Sequence, residues 1–154
     1  MDIVRMGEYK LTTQNHILRT NALGSCVALI LWNPQKKKGA MSHIMLPFPT
    51  SNQPPSLLGK YASTVIPQLV YCLGKEGTQA MLFGGAAMYT PENQPRLNIG
   101  KRNTDFTIDL LRQINIPILY SHIGGTVSRS VEFDSSKQKV TLFLPENKIV
   151  IRHF

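Results

Sequence analysis

Residues 26–32 (Cys26-Val27-Ala28-Leu29-Ile30-Leu31-Trp32) form a continuous apolar run rich in branched side chains, the pattern of a central strand covered on both faces. A polar stretch follows, Asn33-Pro34-Gln35-Lys36-Lys37-Lys38-Gly39, and reads as a turn. Residues 39–46 then read as a second strand, with Met41, His43 and Met45 on one face and Ala40, Ser42 and Ile44 on the other. Two strands joined this way lie side by side. Upstream, residues 3–11 and 16–20 read as short strands. Residues 47–56 hold four of the ten prolines and read as a loop bordering His43.

Helical periodicity begins at residue 57. Leu58, Ala62, Val65, Leu69 and Leu73 trace a stripe through residues 57–75; Pro67 is expected to kink or break that helix, and Gly74 and Gly77 suit its end. Residues 79–83 read as a strand ending at Gly84-Gly85. A second helix is expected over 104–114, capped by Asn103, with Phe106, Leu110 and Ile114 on one face. Residues 116–123, the alternating pair Val131 and Phe133, 139–144 and 148–153 complete the strands, with a turn at Asp134–Gln138. Two helices among many strands in hairpin-like succession predict an α+β fold, the helices covering a mixed or antiparallel sheet.

The chain has 154 residues, 42% hydrophobic and 17% charged, which fits one domain spanning 1–154 with a sizeable core. No apolar stretch approaches the ~20 residues of a membrane span, and the first residues carry no secretory pattern. The two cysteines are therefore expected reduced, in the cytoplasm. The net charge of +8 includes Lys36-Lys37-Lys38 and Lys101-Arg102. It suits either a solvated surface or an acidic partner; a nucleic-acid-binding domain is the weakest form of the second, since aromatic residues are few and not interleaved with the basic ones.

Cys26 and His43 are the candidate chemistry. A cysteine after a Gly-Ser turn, opposite a histidine on the next strand, can be a nucleophile with its proton shuttle. Equally, a free cysteine is a common core residue and a lone histidine often a satisfied one. Other constellations fail. Leu23-Gly24-Ser25-Cys26 lacks the flanking glycine of a nucleophile elbow. Gly84-Gly85-Ala86 is followed by no phosphate-binding lysine and reads as close packing or a tight turn. His16, His43, His122 and His153 with the two cysteines show no zinc spacing, so no metal or cofactor is expected. Cys72 falls within the first helix pattern as a core position, and Asn98-Ile99-Gly100 with Arg102 and Asn103 reads equally as a functional loop or as the turn and cap before the second helix.

Read together, these segments resemble the CheD family of chemoreceptor glutamine deamidases. The likeness is carried by Leu23-Gly24-Ser25-Cys26-Val27-Ala28, His43-Ile44-Met45-Leu46-Pro47, Lys60-Tyr61-Ala62 with Ile66-Pro67, Gly84-Gly85-Ala86-Ala87-Met88, Asn98-Ile99-Gly100-Lys101-Arg102-Asn103, and Gly124-Gly125 with Arg129, Val131 and Phe133. It departs at Ser128, where the family has glycine, at Ser135–Gln138, and in an extension over 144–154. The resemblance implies a layered α/β/β arrangement and Cys26, His43 and Thr20 as catalytic residues, with a thioester intermediate. Gly24 and Ser25 would contribute oxyanion donors. It implies chemoreceptors as substrates, with acidic, glutamine-bearing helices, and in some members hydrolysis of receptor methyl esters. It also implies a second class of function, a regulatory module that docks on a CheC-type phosphatase.

Overall fold

The computed structural model describes residues 1–13, 15–51, 57–88, 98–152 and 154. Among them are ten strands and two helices: β1 (Asp2–Ile3), β2 (Tyr9–Thr12), β3 (Ile17–Leu23), β4 (Val27–Asn33), β5 (Lys38–Ile44), α1 (Ala62–Leu73), β6 (Gln79–Gly84), α2 (Ile99–Gln113), β7 (Ile118–Ile123), β8 (Arg129–Asp134), β9 (Lys139–Phe143) and β10 (Lys148–Arg152). They form two sheets, ordered β1-β3-β8-β9-β10 and β2-β5-β4-β6-β7. Each is mixed: β1 runs parallel to β3 and β6 to β7, while the other pairings are antiparallel.

β4 is the centre of the second sheet, and all seven of its residues are buried. Its alternating side chains enter two cores. Val27, Leu29 and Leu31 pack with Val65, Ile66 and Leu69 of α1 and Leu111 of α2. Ala28, Ile30 and Trp32 face the other sheet and meet Leu18, Val131, Phe133 and Leu142. Trp32 and Phe133 lock edge to face, with centroids 5.7 Å apart. The layers are thus helices, sheet, sheet: the α+β sandwich expected, in the α/β/β order.

The differences are local. α1 starts at Ala62, and Leu58 is exposed outside it. It runs on through Pro67, whose side of the helix faces solvent, so water can hydrate the carbonyl left without a donor. Gly74 ends it at φ 87°, returning its N–H to Val70 O. Cys72 is half-buried, not core. α2 starts at Ile99, earlier than periodicity suggests, because Asn98 rather than Asn103 caps it, its side chain accepting from the Lys101 N–H at 3.0 Å. β10 pairs with β9, and Ile149 and Ile151 pack against the core between the sheets. Of the loop expected over 47–56, residues 52–56 lie outside the described residues, as does His153.

Phe133 sits fully buried between the sheets. Phe133→Ala should lower unfolding free energy by about 3–5 kcal/mol in a denaturant titration, the cost of a large cavity. A loss under about 1 kcal/mol would mean that the inter-sheet core does not hold the sandwich together.

Candidate active site

The chain passes from one sheet to the other in the short segment between β3 and β4. β3 carries a bulge between Thr20 and Leu23, with Ala22 in the left-handed region at φ 55°. The bulge breaks the alternation, so Thr20 and Leu23 both point inward while Asn21 and Ala22 face solvent. The chain then crosses through Gly24-Ser25-Cys26 into β4 of the other sheet. Thr20 therefore comes from one sheet, and Cys26 and His43 from the other.

His43 lies opposite Ala28 in the β4–β5 ladder. Cys26, in the bend just before β4, packs against the inter-sheet cluster that includes Ala28, so it lies on the side of the sheet that His43 faces. The backbone of His43 is pinned on its outer side, its N–H on Glu8 O and its carbonyl on the Gly7 N–H, both at 2.9 Å.

The tautomer of His43 follows from one hydroxyl proton. Thr20 Oγ1 donates to Val4 O at 2.7 Å and also lies 2.7 Å from His43 Nδ1. A threonine hydroxyl has a single hydrogen, so with it committed to Val4 the oxygen accepts from Nδ1–H. Nε2 is then the unprotonated nitrogen. It is buried and has no hydrogen-bond partner among the described residues, and no bond joins it to Cys26 Sγ. Burial lowers the His43 pKa to about 4, the Val4 carbonyl working in the opposite direction. Burial also pushes the Cys26 thiol up. Both shifts favour a neutral thiol and a neutral imidazole over a thiolate–imidazolium pair.

The turn before Cys26 is held by its carbonyls. Gly24 O accepts from the Ala86 N–H at 2.8 Å, Ser25 O from Asn103 Nδ2 at 2.9 Å, and Cys26 O from the Gly85 N–H at 2.9 Å. A Cβ on Gly84 would collide with the Cys26 carbonyl, which is why Gly84-Gly85 is a close-packed crossing rather than a phosphate loop. Arg129, buried at the start of β8, clamps the far side of that crossing: it donates to Gly84 O and Gly124 O, and its Nε to His122 Nδ1 at 2.9 Å. Burial, then the charge of Arg129, hold the His122 imidazole below its ordinary pKa. His16 is remote from this chemistry, paired with Asp2. The structure thus joins Thr20 to His43, and Gly24, Ser25 and Cys26 form the turn that carries the chain from β3 into β4. Sequence reasoning left Asn103 open between a functional loop and a helix cap, without the role of holding the Ser25 carbonyl, and read Arg129 only as part of a matching block. A polar residue on the buried stripe of a helix is the signal that marks the first.

A family model described as CheD chemotactic sensory transduction matches residues 45–143. A probable chemoreceptor glutamine deamidase CheD of Desulfitobacterium hafniense is 37% identical over 137 residues, covering 85% of each chain. The chemoreceptor glutamine deamidases CheD of Halalkalibacterium halodurans and Thermotoga maritima are 33% and 35% identical, over 92% and 90% of this chain and 93% and 88% of theirs. A crystal structure of a Neisseria meningitidis protein of the DUF152 family aligns with a TM-score of 0.50 at 7% identity, covering 82% of this chain and 65% of that one; the likeness is one of fold.

The folded pKa of His43 lies below its ordinary 6.5, at about 4, so on acidification the unfolded chain takes up this proton first. The stability tied to neutral His43 is complete above 6.5 and is lost as pH falls through 6.5 to about 4. His43→Gln should flatten the stability–pH curve in that window. A curve of unchanged slope would mean that His43 titrates normally in the folded protein.

Proposed function

The chain belongs to the CheD family, and from that membership we propose that it is a chemoreceptor glutamine deamidase whose chemistry runs through Cys26, His43 and Thr20. The observation that supports this most is the state of His43: Nδ1 is committed to Thr20, and Nε2 is left without a partner on the face that Cys26 shares.

The residues divide the work as follows. His43 Nε2 takes the thiol proton as Cys26 Sγ attacks the carboxamide carbon of a substrate glutamine. Apo hydrogen bonds of this kind often close only with substrate bound. The oxyanion that forms needs donors. The N–H groups of Ser25 and Cys26 bond to nothing among the described residues, since the turn is tied down through its carbonyls. Each such donor contributes about 3–4 kcal/mol to the barrier in acyl-transfer enzymes. The imidazolium then protonates the departing nitrogen, ammonia leaves, and a thioester remains. Water, deprotonated by His43, attacks the thioester carbon; the thiol is restored and the side chain is now glutamate. Thr20 acts only by holding the ring. A methyl ester would enter the same sequence with methanol as leaving group.

A reducing, cytoplasmic setting agrees with the free thiols of Cys26 and Cys72. The basic clusters have different positions relative to the site. Lys36 and Lys37 sit in the turn at the far end of β4, about 20 Å of strand from Cys26. Lys101 and Arg102 are exposed on the first turn of α2, next to Asn103 and hence to the Ser25 carbonyl. Lys101 pairs with Asp105, so Arg102 is the better placed to steer an acidic helix.

Cys26→Ala should abolish ammonia release from a receptor substrate while the protein stays folded, and mass spectrometry of the receptor should lose the shift of about one dalton per converted glutamine. His43→Ala should cost ~100-fold to ~10,000-fold in kcat, and Thr20→Val less. Because His43 is neutral down to about pH 4, the acid limb of kcat/KM should lie well below 6.5. A folded wild-type protein that binds a CheC-type phosphatase but releases no ammonia would replace this reading with the regulatory one.

Arg102→Glu should raise KM at low salt, and Lys37→Glu should not. A KM indifferent to Arg102 and to ionic strength would remove the steering role.

A further inference from the structure

We infer that Asn103 is a positioning residue that aims the Cys26 N–H at the developing oxyanion. The inference rests on the deamidase reading above.

Asn103 is fully buried on α2. It is delivered there because Gly100, one turn earlier, lets the helix backbone press against the carbonyls of Gly85 and Ala86, where any Cβ would collide. Its two amide hydrogens go to two carbonyls, Ser25 O and Met45 O, each at 2.9 Å. Its own oxygen is buried with no partner among the described residues. The reverse orientation of the amide would set that oxygen against two carbonyl oxygens, so the donors face the carbonyls.

The consequence is geometric. In a trans peptide the C=O and the N–H point in opposite directions. The carbonyl of Ser25 and the N–H of Cys26 belong to one peptide plane. A donor fixed on that carbonyl therefore sets the direction of the Cys26 N–H, away from α2. The neighbouring carbonyls of Gly24 and Cys26 are held by backbone N–H groups of the Gly84 crossing. Only the central one depends on a side chain. The second hydrogen of the same amide holds Met45, two residues beyond His43 on the same chain segment. One planar group thus spans the peptide that stabilises charge and the strand that carries the base. A leucine at this position would fill the space but leave both carbonyls without a donor and the peptide free to rotate.

The test separates this role from a general structural one. Asn103→Ala and Asn103→Asp are made in a Cys72→Ser background, with folding checked by circular dichroism. Deamidation should lose about tenfold to hundredfold in kcat with KM nearly unchanged, since only a transition-state interaction is weakened. Alkylation of Cys26 by iodoacetamide, a displacement that forms no oxyanion, should keep its wild-type rate and pH dependence. If alkylation slows in parallel with kcat, Asn103 acts through the thiol or the fold and the inference is overturned; an unchanged kcat overturns it as well. Should both variants fail to fold, the wild-type protein decides. The Cys26 amide proton should move downfield in the ¹H–¹⁵N spectrum when a peptide aldehyde, glutamic semialdehyde in place of glutamine, adds to the thiol. An unmoved Cys26 amide in the adduct overturns the inference. Ammonia release by the wild type and its loss in Cys26→Ala are measured in the same series. Failure there counts against the deamidase reading, whereas an intact wild type with normal Asn103 variants counts against Asn103 alone.

Discussion

Every side chain of β4 is out of water, and the rest of the architecture follows from that. A strand whose neighbours flank it on both edges and whose residues are apolar on both faces must be covered twice. Helices α1 and α2 cover one face, and the first sheet covers the other. Burial of this kind, at about 25 cal/mol per Å² of apolar surface, is the dominant favourable term in folding. It also leaves, at the edge of the core, a half-buried turn whose polar groups lie against an apolar interior. That turn is at the end of β4, where the chain enters from the other sheet and where Cys26 lies.

Burial then governs the polar groups at that end. A buried polar atom without a partner is costly, so most of those around Cys26 are tied to one another. The carbonyls of Gly24, Ser25 and Cys26 each have a donor, and Arg129 satisfies the opposite side of the Gly84 crossing. With the carbonyl side closed, the free hydrogen-bonding capacity of the turn is its N–H side. His43 shows the same logic. Its Nδ1 is engaged, its Nε2 is not, and burial keeps the ring neutral. A threonine hydroxyl suits this better than a carboxylate would. It fixes the ring without adding a buried negative charge that would draw the imidazole toward its protonated form.

The β4–β5 hairpin sets His43 opposite Ala28, and the polar turn between two apolar runs made the adjacency of these strands readable. The buried character of β4, the alternation that sends Met41 and His43 to one face, and the α1 stripe of Ala62, Val65, Leu69 and Leu73 are likewise periodic features that local sequence carries, whereas the expected α2 stripe of Phe106, Leu110 and Ile114 is only partly buried and the helix turns Asn103, Thr107 and Leu111 fully inward. Element boundaries were less legible. α2 begins at Ile99, capped by Asn98, because a cap is a hydrogen bond, and two asparagines five residues apart both had the side chain to make it. Pro67 did not break α1 because its cost depends on whether water can reach the freed carbonyl, a property of the surface.

The amino-acid sequence by itself determined the α+β class, the central strand and the nucleophile–base candidates, because these rest on side-chain periodicity and on chain neighbours; the layering of two sheets was implied only by the family resemblance. Only the tertiary structure decided that Thr20 reaches His43 from the opposite sheet, that its single proton goes to Val4, and that Asn103 and Arg129 hold the turn around Cys26. Those contacts join residues from 16 to 78 positions apart, from Thr20–Val4 to Asn103–Ser25. Hydrogen bonds of that range are directional and depend on where separate elements come to rest, and no local pattern along the chain encodes that.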